Sequence, residues 1–140
     1  MPIFRKQGDH AKDLWLVDGS QNFGFFPGGV ISGLEEPLPI RLTVGTPAYG
    51  ETHIRIRHGH WVSLQKMTVP ELIYYKLGHT GQIYNTEHEQ KIKVSMRLNP
   101  SALLVLELVE RGAMHFSVTS LYAHPPGLDG KPIGRYPGRR

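Results

Sequence analysis

Three histidines and two arginines fall within ten residues in the stretch THIRIRHGHW, positions 52 to 61. Imidazole titrates near neutrality, so it can take a proton from one oxygen and return it to another. Two such groups are enough to cleave RNA without a metal. One removes the proton of a ribose 2′-OH, which attacks the adjacent phosphorus, and the other protonates the departing 5′-oxygen. A lysine or arginine steadies the charge that gathers on the phosphoryl oxygens. His53 and His58 are the pair to consider, with Arg55 and Arg57 interleaved between them. His60 and His79 sit beside glycines and read as surface or capping residues. Metal binding is the rival use. His53 and His58 are five apart and His58 and His60 two apart, and neither is the i, i+4 spacing of HExxH. On a strand His58 and His60 would share a face, which keeps a metal open as the second reading. The third is a basic surface that happens to hold histidine.

Composition bounds what these residues can belong to. The chain has 140 residues, 39% hydrophobic and 20% charged, which suits one domain with a single core. Its formal net charge of +4 is compatible with a polyanionic partner such as RNA without demanding one. There is no cysteine, so neither a disulfide framework nor a thiolate metal site can form. That fits a cytoplasmic site of action, or a protein that unfolds and refolds during delivery. No apolar run approaches the ~18 residues of a membrane span, and MPIFRKQGDHAKD is too polar for a signal peptide.

The elements that must position the histidines are uneven in clarity. LWLV (14–17) before DGS reads as a short strand entering a turn. NFGFFPGGV (22–30) reads as a packed irregular loop, since its glycines have neither phosphate-loop spacing. PIRLTVG (39–45) alternates as a strand, and TPAYGE (46–51) is a loop. Residues 68–78 form the clearest helix: Thr68 and Glu71 have capping-box spacing, Pro70 lies in the first turn, and Leu72, Ile73 and Leu77 make one stripe. Gly78 can supply a left-handed stop. QIYN (82–85) is a short strand. KIKVSMRL (91–98), ALLVLELV (102–109) and MHFSVTSLY (114–122) then read as three strands of an antiparallel meander, with RGA (111–113) as a turn. The polar face of that meander carries Lys91, Lys93, Arg97, His115, Ser117 and Thr119. Cations beside hydroxyls on a rigid sheet suit phosphate recognition, and they also describe any solvated sheet face. The tail AHPPGLDGKPIGRYPGRR is expected to be extended or disordered. The fold class is α+β, with helix packed on an antiparallel meander.

With those elements in order, PIRLTVGTPAYGETHIRIRHGHW, a helix, and strands ending in FSVTSLY together resemble a known family. They resemble the phage-associated nuclease domains of the barnase–EndoU–colicin–RelE-like superfamily. The matches are Pro39 to Gly45, His53-Ile54, Arg57-His58-Gly59 and Val118-Thr119-Ser120. The resemblance covers 39–124, leaving 1–38 as an N-terminal extension and 125–140 as a flexible basic tail. It implies a metal-independent endoribonuclease without cofactor, of the polymorphic-toxin or phage-borne kind. It places His53, Arg57 and His58 on one wall of the site and Thr119 on the other. The family's further basic residue has no unique match, and Lys91, Lys93 and Arg97, with Ser117 beside them, are the substrate-binding set. The implied partners are RNA and an acidic immunity protein. The implied setting is the cytoplasm of the producing or target cell, reached as part of a larger secreted or phage protein. The alternative is a non-catalytic RNA-binding or phage structural domain on the same fold.

Overall fold

The computed structural model describes residues 2–86, 92–98, 102–123 and 132–139. β1 (Phe4–Lys6) and β2 (Trp15–Val17) pair antiparallel as a separate two-stranded ribbon. β2 runs into a turn where Asp18 and Gly19 take φ of 50° and 80°, a left-handed geometry that Asp-Gly tolerates. β3 (Gly24–Phe26) pairs with β4 (Leu38–Arg41). Residues 22–30 are thus more than the expected irregular loop. Phe23 and Phe26 are buried, and the Phe26 ring lies 4.4 Å from that of Phe116, centroid to centroid. β4 is shorter than its alternation predicts, though Leu42 and Val44 stay buried beyond its end.

The histidine stretch forms a helix, α1 (Gly50–Leu64), which periodicity did not predict. Few of its residues are apolar and inward: Ile54 and Val62 join the core and Trp61 packs against it. Glu51 suits the first turn of a helix and pairs with Arg55 at 2.9 Å. At His58 the backbone leaves helical geometry (φ −126°, ψ 15°) and the helix kinks. α2 (Val69–Lys76) begins as expected. Its Thr68 hydroxyl accepts from the Glu71 N–H, and the Glu71 carboxylate accepts from the Thr68 N–H at 2.8 Å. Leu72, Ile73 and Leu77 are buried. Gly78 is not the left-handed stop, because the helix closes on Leu77 in right-handed geometry. Its use is room: a Cβ there would lie 3.0 Å from the Arg139 guanidinium.

The sheet is built on the expected meander. β5 (Gly81–Thr86), β6 (Lys93–Leu98), β7 (Ala102–Val109) and β8 (His115–Tyr122) pair in sequence, all antiparallel. β4 joins β8 in parallel, and β9 (Gly134–Tyr136) joins β5, giving seven strands in the order β3-β4-β8-β7-β6-β5-β9. The fold is α+β: two helices and a mostly antiparallel sheet. One face carries Val94, Met96, Leu104, Leu106, Val118 and Leu121 into a core shared with Ile54, Leu72 and Ile73 of the helices.

The core does not respect boundaries at 38 and 125. Val17, Phe23 and Phe26 belong to it, and so does Tyr136. The tail expected to be flexible therefore packs over its described part. Tyr136 is fully buried and donates its hydroxyl to the Leu77 carbonyl, and Arg139 stacks 3.5 Å above the Tyr74 ring. Among the described residues, no helix is long and apolar enough to cross a membrane.

Candidate active site

The site begins with an irregularity in β8. Val105 of β7 pairs with Ser120 and Leu106 pairs with Val118, so Thr119 has no partner opposite it. An extra residue of this kind shifts the inward–outward alternation by one. Phe116, Val118 and Leu121 all remain in the core. Thr119, Ser120 and Tyr122 consequently fall on the other face, two of them side by side. Thr119 secures the bulge by donating its hydroxyl to the Val105 carbonyl at 3.1 Å.

α1 packs against β8 and meets this polar edge with its histidines. His53 Nδ1 lies 2.8 Å from the Pro47 carbonyl, and its Nε2 lies 3.1 Å from the Ser120 hydroxyl. A carbonyl can only accept, so Nδ1 carries a proton and Nε2 is the atom that gains or loses one. The Ser120 hydroxyl can accept as well as donate, so imidazole and imidazolium are both satisfied there. The His58 ring lies edge-on to Tyr122 at 5.0 Å and to His53 at 6.2 Å between centroids. Burial holds His58 below the usual imidazole value, and the charges of His53 and Arg57 push the same way. The kink that removes His58 from regular helix geometry sits at this contact.

All but one of the residues expected from sequence have a place. His53, Arg57 and His58 share α1, with Arg57 exposed beside His58. His60 is also exposed, so on a helix it does not share the half-buried face of His58. His79 caps α2, its Nδ1 3.0 Å from the Tyr75 carbonyl. Arg97 is exposed on β6, in a cross-strand row running Arg97, Leu103, Tyr122 and so ending at the His58 contact. Lys93 and Ser117 flank Glu107 in another row of the same face. These two, with Thr119, line a groove of about 1100 Å³ that His53, His58 and Arg97 do not line. Lys91 lies outside the described residues.

The expected set is therefore split between a histidine corner and a groove. Two segments border both. The 47–49 turn offers the Pro47 carbonyl to His53 and Ala48 and Tyr49 to the groove, while the bulge offers Ser120 to His53 and Thr119 to the groove. Sequence reasoning missed the roles of Ser120 and Tyr122 as histidine partners, and of Lys12, Glu107 and Arg111 as groove lining. Strand alternation can mark Glu107 as outward. Ser120 reads as inward by the same rule until the bulge is known. Among the described residues no group of three His, Asp or Glu side chains could hold a metal ion. Comparison with known protein families, curated proteins and solved structures found no match to this chain.

Proposed function

We propose that this chain is an endoribonuclease that cuts RNA by attack of the ribose 2′-OH, with His53 and His58 as the proton-transfer pair. The observation that carries the reading is the unequal setting of two neighbouring imidazoles. His58 resists protonation through burial and through the charge of His53 and Arg57, which suits the general base that must be neutral to act. His53 has both nitrogens beside groups able to accept, so it is placed to hold and hand over the proton the acid must give. The coupling has a useful sign: a proton on His53 discourages one on His58, and the pair favours one charged ring and one neutral ring. Arg57, whose charge acts on His58, is the cation for a phosphoryl oxygen. The resemblance to phage-associated nuclease domains of the barnase–EndoU–colicin–RelE-like kind points to the same chemistry and to a toxin or phage-borne effector. A cationic site of this kind suits an acidic immunity protein as inhibitor.

The test is cleavage of RNA by purified protein in EDTA, with the ends of the products identified. Products ending in 2′,3′-cyclic phosphate are expected. Activity that vanishes in EDTA and returns with a divalent ion would overturn the mechanism. No cleavage at all would leave the alternative, a non-catalytic RNA-binding or phage structural domain.

A further inference from the structure

A row of side chains on the outer face of the sheet leads to the histidine corner from the far edge. Directly paired residues of neighbouring strands share a face. Arg135 of β9 pairs with Gln82 of β5, Gln82 with Arg97 of β6, Arg97 with Leu103 of β7, and Leu103 with Tyr122 of β8. The row ends where the Tyr122 ring meets that of His58. Ile83, Met96, Leu104 and Leu121, the next residues on four of these strands, all point into the core, so the row faces the other way. Arg135, Gln82 and Arg97 are exposed, and Leu103 between the two ends is buried.

A sheet face kept only for solubility mixes both signs of charge, as the row of Lys93, Glu107 and Ser117 does. This row has two arginines and no carboxylate. Among the described residues neither guanidinium has a hydrogen bond or an ion pair, so both planar forks are open to phosphate oxygens. Tyr84 leans toward the row by donating its hydroxyl to the Gln82 side chain at 3.1 Å. Two aromatic rings, Tyr84 and Tyr122, thus share the face with the two arginines. Unpaired strands bind such surfaces through phosphates on cations and bases on rings, whereas a duplex keeps its bases stacked inside. Arg135 stands four strand spacings, about 19 Å, from Tyr122. A mononucleotide with its phosphate at the histidines falls short of it, and a strand of several nucleotides does not.

We infer that this row is a track for unpaired RNA, in which Arg97 and Arg135 hold phosphates of the strand that leads to the histidine corner. Its biological meaning rests on the endoribonuclease reading, but its binding test needs no cleavage. The probes are 2′-O-methyl oligouridylates of two and eight nucleotides, which lack the attacking hydroxyl. Affinity would be measured by fluorescence anisotropy over a series of salt concentrations. The octamer should bind at least about 10-fold tighter than the dimer, because only it reaches the phosphate contacts of the track. Arg135→Gln and Arg97→Gln should each weaken the octamer several-fold and flatten its salt slope by about 0.7, the single-strand value for one phosphate. Arg135→Lys should keep the slope. Arg5→Gln, which removes an exposed cation from the separate ribbon, should also keep it, and so tells contact from net charge. An unchanged slope in Arg135→Gln, an equal loss in Arg5→Gln, equal affinity for dimer and octamer, or no binding would each overturn the track. A parallel digest of long RNA keeps the two claims apart. Cleavage by the unmodified protein, with an octamer slope indifferent to Arg135, leaves the ribonuclease and sinks the track. Octamer binding that depends on Arg135, with no cleavage, does the reverse.

Discussion

The histidine corner and the groove lie on either side of the same turn and the same bulge, yet they are held together differently. In the corner, His53 is fixed at both ring nitrogens and His58 is wedged against Tyr122 and His53. In the groove, cations and carboxylates line an open recess. A fixed pair of imidazoles can time proton transfer but offers little surface. A broad recess with both signs of charge offers surface but has no organised acid and base. The contrast teaches that a tightly fixed polar cluster and an open charged recess can share one turn and one bulge within a small domain. It follows that they can be disabled one at a time.

The largest expected effect falls on the corner. His53→Ala and His58→Ala should each lower cleavage by about 10²–10⁴-fold and leave oligonucleotide binding across the sheet unchanged, with circular dichroism confirming the fold. If both variants cleave like the unmodified protein, α1 is only a basic surface. A smaller effect is expected from Lys93→Ala, which should weaken RNA binding several-fold and reduce the slope of binding against salt by about one phosphate contact. Salt titrations of the two proteins check this, and an unchanged slope removes Lys93 from the phosphate path.

Thr119→Ala probes the border. The hydroxyl is engaged with the Val105 carbonyl, so its loss acts first on the bulge, at about 1 kcal/mol of stability. Cleavage should fall by less than for either histidine, and chemical denaturation with kinetics on the same sample separates the two consequences. His60→Ala should be nearly neutral, because His60 is exposed on the far side of the kink.

The pH behaviour sharpens the comparison further. His58 has a folded value below its unfolded value of 6.5. As pH falls below 6.5, the unfolded chain takes up a proton that the folded protein refuses, so the stability supplied by neutral His58 is lost in that window. Melting temperature should therefore fall with acid, and His58→Gln should flatten the fall. The acidic limb of the cleavage profile should likewise sit below the ordinary imidazole range. Arg57→Ala removes one of the charges acting on His58 and should move that limb upward. An acidic limb that does not move would separate Arg57 from the base.

How much of this was legible depends on how local the cause is. The start of α2 could be read from Thr68 and Glu71 because a capping box is a contact between residues three apart. The meander could be read because β6, β7 and β8 each alternate against a single core. α1 could not: between Ile54 and the next inward pair, Trp61 and Val62, no apolar residue marks the stripe, Ile56 points outward, and a kink interrupts the period at His58. His53 and His58 could be singled out all the same, since residue type does not depend on the element that carries it, and the structure sets their rings 6.2 Å apart. Ser120 escaped because its direction depends on the bulge at Thr119. Residues 134–136 escaped because three residues carry no period, and only β5 gives them a place.

β5 and β9 also set an order in time. Strands are made along the chain, but the sheet is not ordered along it. β4 must wait for β8, and Ile83 of β5 waits for Gly134 of β9. Until then the backbone of β5 is an open edge, the sort of surface that recruits other unfinished chains. Pairings this distant in sequence are also slow to find. The protein should fold late and almost all at once, with Tyr136 and Arg139 closing it. A chain interrupted before them should aggregate rather than persist as a smaller folded domain.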